Sequence, residues 1–276
     1  MGRIIAVGNL KGGTGKSTIA VNIACRLAEK QRSVVLIDAD PQGTAAAWLR
    51  NGPPRGLSLV SLALTRATGD AIWSEQISGM RHCFDRIVID LPPQAGECFE
   101  ATLCIADLLM VPLTLSEVDL HATAQAIAVL HRMRAVRGGR PSCLLVPSKV
   151  DRRTSLGRQA STSLAKLGWA VGPALGQRTA HSEAFKAARW IGAHAPGSAA
   201  EMEVRALVEQ VELQLERCPQ VADDYRPERV QAEAPMPAAA RLKSIPGAPG
   251  RLGALCHSLM ATVLAKLKRA EQQAIY

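Results

Sequence analysis

The first stretch of this sequence that could do chemistry is a run of glycines, lysines and hydroxyl side chains: Asn9-Leu10-Lys11-Gly12-Gly13-Thr14-Gly15-Lys16-Ser17-Thr18. It follows a short apolar run, Ile4–Val7, and opens a helical pattern from Ser17 to about Lys30. That placement, after a strand and at a helix N-terminus, is what a phosphate-binding loop requires. Gly12, Gly13 and Gly15 allow backbone N–H groups to close on phosphate oxygens, with Thr14 and Thr18 completing the cradle. The helix N-terminus adds partial positive charge, Lys16 has the length to reach β and γ phosphates, and the Ser17 hydroxyl suits Mg²⁺. The general pattern G-x-x-x-x-G-K-[ST] places glycine where Leu10 stands here, and the departure is accompanied by an additional lysine, Lys11.

Two later apolar runs also end in acids. Val34–Ile37 leads into Asp38-Ala39-Asp40-Pro41-Gln42-Gly43, and Ile87–Ile89 into Asp90-Leu91-Pro92-Pro93. Acids at the ends of strands can cap a loop, hold a cation or move a proton. On their own the residues allow all three roles, and the order in which the runs follow the glycine loop narrows the choice.

Taken together, the strings K-G-G-T-G-K-S-T, D-x-D-P-Q and D-x-P-P resemble the deviant Walker A ATPases of the ParA, MinD and nitrogenase iron-protein superfamily. The resemblance covers about Arg3 to Glu216. It implies ATP and Mg²⁺ as ligands, hydrolysis of ATP to ADP and phosphate, and a homodimer that forms around nucleotide. Lys11 would cross to the phosphates held by the partner subunit, so that Lys11, Lys16 and Asp40 form the catalytic set. Asp38 would help hold the magnesium hydration shell, Asp40 would position or activate the attacking water, and Asp90 would bind Mg²⁺ through water. The segment Val111–Leu120 is similar to a strand-to-helix junction of this family, with its second proline missing. Ser148 stands where relatives often carry an asparagine that reads adenine, and a hydroxyl offers the base less than an amide does. Gly176-Gln177-Arg178, with Glu183 after it, resembles the nucleotide-edge loop of short ParA proteins, which assigns Arg178 to the nucleotide.

The elements that must position these residues are legible as alternation. Apolar runs at Ile4–Val7, Val34–Ile37, Ile87–Ile89, Leu108–Val111 and Leu144–Val146 alternate with helical patterns at 17–30, 116–136, 156–167 and 199–216. This pattern predicts an α/β fold with a mostly parallel sheet and helices on both faces. With 276 residues, 47% of them hydrophobic and only 3% aromatic, the chain can bury a substantial aliphatic core. An ATPase domain is expected over 1–218. A Pro/Ala-rich linker follows over 219–250, broken by Pro219, Pro227, Pro235, Pro237, Pro246 and Pro249, and then an amphipathic helix over 251–276.

Charge bears on partners. The formal net charge is +9, and between His131 and Lys166 nine Lys/Arg face the single acid Asp151. Such a run fits a polyanion, although a solvated helix face gives the same signal. Ile4 already opens the first strand, so DNA contact is expected through backbone charge, with Arg152, Arg153 and Arg158 as candidates, and not through base readout. The seven cysteines include no C-x-x-C pair, which disfavours disulfide and zinc readings, and Cys98 and Cys104 lack the glycine-rich setting of a cluster ligand. No signal pattern or spanning stretch is visible, which predicts a cytoplasmic protein, nucleoid-associated when ATP-bound. The reading that best joins these features is a partition or positioning ATPase that binds DNA non-specifically and answers to a ParB-like or other cargo adaptor. The alternative is a MinD-like ATPase that cycles on a membrane through the terminal helix. That helix carries no aromatic anchor before Tyr276, which weighs against membrane binding.

Overall fold

A computed structural model describes residues 1–64, 70–94 and 96–218; the linker expected over 219–250 and the helix expected over 251–276 lie outside the described residues. The strands are β1 (Arg3–Val7), β2 (Val34–Asp38), β3 (Leu57–Ser61), β4 (Arg86–Asp90), β5 (Leu108–Leu113), β6 (Ser142–Pro147) and β7 (Ala170–Val171). They form one seven-stranded sheet in the order β3-β2-β4-β1-β5-β6-β7. Every ladder in it is parallel. The helices are α1 (Lys16–Glu29), α2 (Thr44–Trp48), α3 (Asp70–Gly79), α4 (Glu97–Ile105), α5 (Glu117–Val136), α6 (Ser155–Ala165), α7 (Thr179–Lys186), α8 (Ile191–His194) and α9 (Ala199–Arg217).

The strands read as unbroken apolar runs because both faces of the sheet are covered. Alternate residues then feed separate cores. Ile5, Val7, Leu36, Val88 and Met110 pack with Ile23 and Leu27 of α1 and with Val204, Leu207 and Val211 of α9. Ile4, Ala6, Ile37, Ile89 and Leu109 pack on the other face with Phe99, Leu103, Leu130 and Leu164. The predicted five strands and four long helices are present within a few residues of their expected bounds. Ser116, expected as the first residue of its helix, is instead the N-cap of α5, its side chain accepting from the Asp119 N–H.

The register is the most important consequence for function. Asp38 pairs with Asp90 across β2 and β4, and Val7, the last residue of β1, pairs with Asp90 across β1 and β4. Three stretches far apart in sequence thus end side by side at the C-terminal edge of the sheet, where open α/β sheets bind ligands. At the opposite edge, Asp107 accepts from the Ile4 N–H and pairs with Arg81 at 2.7 Å, while Arg3 donates to the carbonyls of Leu215 and Cys218 at the end of α9.

Candidate functional site

The glycine loop is held from below before it meets any ligand. The Asn9 side-chain amide donates to the Pro112 carbonyl at 2.8 Å and to the Thr123 hydroxyl at 3.0 Å, tying the loop to β5 and α5. Gly13 and Gly15 adopt φ of 77° and 94°, left-handed values that a side chain would strain, and Gly15 directly precedes α1. A Cβ at Gly15 would also lie 2.9 Å from the Ser148 hydroxyl. Ser148 therefore buttresses the loop closely, with its own N–H donating to the Leu113 carbonyl.

Lys16 is buried, and its ammonium donates to the Lys11 carbonyl at 2.8 Å. Burial lowers its pKa, an effect opposed by the nearby carboxylates Asp90, Asp40 and Asp119. Lys11 itself is exposed. Asp90 is fully buried, and neither carboxylate oxygen has a hydrogen-bond partner. Burial pushes its pKa up to about 7, with the charges of Asp38 and Asp40 adding to the effect and the Ser17 hydroxyl and Lys16 opposing it. Ser17 thus lies near Asp90 yet forms no well-directed hydrogen bond with it. Asp38 gives one oxygen to the Ala46 N–H of α2 at 2.8 Å, and its other oxygen is buried without a partner. Its pKa is raised as well, first by burial. Thr14 carries a further orphaned hydroxyl.

Buried polar atoms normally find partners, and unpaired carboxylates at the centre of a fold are costly. Three such residues belong to this end of the sheet: Asp38 stands beside Asp90 in register, Asp90 is close to the buried Lys16, and Thr14 lies in the loop of backbone N–H groups before it. A phosphate chain with a divalent cation satisfies each of them, since Mg²⁺ is typically held by one or two carboxylates plus phosphate oxygens and water. The residues present therefore fit both ligands.

Two cavities flank this cluster. One of about 440 Å³ is walled by Gly15, Thr18, Ile19, Trp48, Ser148 and Phe185, among others. Trp48 meets Phe185 edge to face at 5.3 Å between ring centroids and donates its indole N–H to the Arg189 carbonyl. Gln177, Arg178 and His181 complete that cavity, and His181 has its Nδ1 unpartnered and its pKa lowered by burial. Its apolar walls and few polar groups suit a nucleoside. The second cavity, of about 370 Å³, holds Asp40 together with Pro41, Pro92, Pro93 and Cys98. One Asp40 oxygen accepts from the Gln42 N–H.

The structure brings the loop, Asp38 and Asp90 to one end of the sheet, with Ser148 against Gly15 and Asp40 in the smaller cavity. Thr44, His181 and Phe185 also wall the larger cavity and carry no sequence signal for it, because side-chain type alone does not distinguish a cavity wall from a surface helix. Arg178 does border the larger cavity, but its Nε and one Nη donate to Glu203 at 3.1 and 2.7 Å. The basic segment also differs from a single charged face. Arg134 lies over the Trp169 ring and donates to Pro141, Arg137 caps the carbonyls of Leu103 and Ala106, and Arg132 pairs with Glu100. These arginines serve the fold. Arg152, Arg153 and Arg158 remain exposed together around the start of α6, with Arg153 partly neutralised by Asp151 at 2.8 Å. Among the described residues no helix is long and apolar enough to cross a membrane.

A profile described as "CobQ/CobB/MinD/ParA nucleotide binding domain" matches residues 5–191. Maintenance of carboxysome distribution protein A of Halothiobacillus neapolitanus is 32% identical over 165 residues, covering 59% of this chain and 74% of that protein. The chromosome-partitioning ATPase Soj of Thermus thermophilus is 30% identical over 239 residues, covering 76% of this chain and 95% of that protein. Among solved structures, an ATP complex of Cyanothece McdA superposes with a TM-score of 0.65 at 17% identity, covering 80% of this chain and 99% of that one. The cell-division ATPase MinD of Pyrococcus furiosus gives 0.63 at 17% identity, covering 77% and 99%. At such identities the structural likeness speaks for the fold.

Proposed function

We propose, from the premise that this chain belongs to the CobQ/CobB/MinD/ParA family of nucleotide-binding domains, that it is a positioning ATPase whose ATP-bound homodimer holds DNA non-specifically and releases it on hydrolysis. The observation that carries the reading is the set of orphaned polar atoms on Thr14, Asp38 and Asp90 at the same end of the sheet as the buried Lys16. Relatives by sequence are named for carboxysome distribution and chromosome partitioning, which supports a large cargo.

In this reading the N–H groups from Gly12 to Thr18 cradle the phosphates, and Lys16 exchanges the Lys11 carbonyl for β and γ oxygens. Ser17, Asp38 and Asp90 would hold Mg²⁺, which would supply positive charge against the phosphate oxygens. Lys11 reaches across to the partner subunit's nucleotide. Asp40 orients water for attack on the γ-phosphorus and accepts its proton, while the bond to the β–γ bridging oxygen breaks to leave ADP and phosphate. The nucleoside occupies the cavity between Trp48, Phe185 and Ser148. A ParB-like or other adaptor bound to cargo accelerates the step. The membrane-cycling alternative depends on residues 251–276, as does the proposed division into an ATPase domain over 1–218, a linker over 219–250 and a terminal helix.

The test of the DNA half is a filter-binding or anisotropy series on unrelated duplexes with ATP and Mg²⁺. Affinity should fall steeply with salt and be indifferent to sequence, since each neutralised phosphate contributes about 0.9 to the log–log slope. Replacing Arg152, Arg153 and Arg158 by glutamate should weaken every duplex alike and flatten that slope by roughly 2–3. An unchanged slope would remove DNA from this face.

A further inference from the structure

We propose that Glu203, on α9, is the positioning residue for the nucleoside half of the site, holding the segment Gly176–Arg178 in place as the outer wall of the larger cavity. The inference rests on reading that cavity as the nucleoside pocket.

The wall is fixed along one side by backbone alone. Leu175 N–H donates to Pro147, Val150 N–H to Leu175 and Gln177 N–H to Val150, extending the sheet past β6 through the bridge between Val150 and Gly176. Its other side depends on one carboxylate. Glu203 Oε2 accepts from the Gly176 N–H at 3.0 Å and from Arg178 Nε at 3.1 Å, and Oε1 accepts from Arg178 Nη2 at 2.7 Å. This is a two-pronged charge-assisted fork, the geometry in which an arginine–carboxylate pair is strongest. The carboxylate is also well shielded, with a side-chain exposure of 10%. The arginine lies across Gly176, where an added Cβ would come within 3.2–3.3 Å of its guanidinium.

Glu203 can bear this load because α9 is rigid. Its neighbours Val204, Leu207 and Val208 are packed into the core that α1 shares. A second cation, Arg152, approaches Oε1 only to 3.8 Å and is 63% exposed, so Arg178 dominates. Burial raises the Glu203 pKa, but the hydrogen bonds from Arg178 and Gly176 and the charges of Arg178 and Arg152 outweigh it and hold the carboxyl below its usual range. Glu203 neither lines the cavity nor touches the phosphate loop. Its contacts reach the cavity through Gly176 and Arg178, and its charge also acts on His181, all three of which line the cavity.

The signature is therefore a defect confined to the nucleoside. In the full-length chain, Glu203→Gln should raise KM for ATP about tenfold, equivalent to ~1.4 kcal/mol, with kcat within about twofold of wild type. Binding of inorganic tripolyphosphate with Mg²⁺, which needs only the phosphate loop, should be unchanged. Glu203→Asp keeps the charge but is one methylene short, and should fall between the two. The inference is overturned if KM for Glu203→Gln matches wild type, or if ATP and tripolyphosphate affinity decline together with the melting temperature, as for a merely structural residue. A wild-type chain that binds tripolyphosphate but not ATP would overturn the nucleoside reading and this inference with it. Normal ATP binding by wild type with an unaffected Glu203→Gln would overturn this inference alone.

Discussion

Lys16→Ala is expected to lose ATP binding by about two orders of magnitude, whereas Asp40→Ala should bind ATP like wild type and fail to turn it over. The first effect follows from charge. Lys16 is a buried ammonium whose hydrogen-bond acceptor in the structure is the Lys11 carbonyl, with burial pulling its pKa down. Phosphate oxygens offer it a far better partner, and two charge-assisted hydrogen bonds at the lower end of the ~1.5–3 kcal/mol range multiply to roughly a hundredfold. Asp40 is placed differently. It stands in the smaller cavity with one oxygen on the Gln42 N–H, and in the proposed mechanism it meets the water and not the phosphates. Loss of a general base costs about 10²–10⁴ in kcat with little change in binding. Isothermal titration with ATP and a phosphate-release assay separate the two variants, and equal loss of binding in both would be the contrary result.

Asp90→Asn should make the ligand-free protein more stable while abolishing its response to Mg²⁺. The Asp90 carboxyl has a pKa of about 7 in the fold against the usual 3.8, because burial opposes its charge. A carboxylate with a raised pKa destabilises the fold once it ionises. The fold therefore has its full stability from this group below about pH 4 and loses it progressively up to about pH 7, beyond which the penalty is constant. The displacement corresponds to ~4 kcal/mol at most. Asparagine removes the charge but must place an amide among the same unpaired neighbours, so about 2–3 kcal/mol of net gain is expected at pH 8 and little at pH 4. For a folded unit of this size that is a rise in melting temperature of about 5–10 °C. Scanning calorimetry at the two pH values, with and without Mg²⁺ and ATP, checks both halves. Destabilisation at pH 8 would mean that the Asp90 oxygens have partners in solution, and the site's orphan character would fall.

How far the sequence reveals this site depends on the kind of residue. Ile4–Val7, Val34–Ile37 and Ile87–Ile89 are continuous apolar runs because their strands are buried on both faces, so the glycine loop, Asp38 and Asp90 could be placed at strand ends from sequence alone. The strand Leu57–Ser61 is not legible because it lies at the sheet edge with four of its five residues at least partly exposed, so it is no continuous buried apolar run. The helix Thr44–Trp48 is not legible for another reason: five residues are too few to repeat a helical period, and its first turn is held by the Asp38 carboxylate on the Ala46 N–H, a tertiary bond. Charge was the least legible property. Arg134 and Arg137 look like the surface of a basic helix, but both turn inward to cap carbonyls at the ends of other elements, and burial lowers the Arg137 pKa to about 10. Glu203 gave no signal, because its importance comes from a chain return that brings α9 against a loop 25 residues earlier.

The proposed switch closes on ATP between two copies of this chain, and the solution mass of the hydrolysis-deficient Asp40→Ala protein decides whether it does. Sedimentation or light scattering should give the 29.4 kDa monomer without nucleotide and twice that mass with ATP and Mg²⁺. The additional Lys11→Ala substitution should return the ATP-bound protein to monomer. An Asp40→Ala protein that binds ATP and remains monomeric would contradict the account.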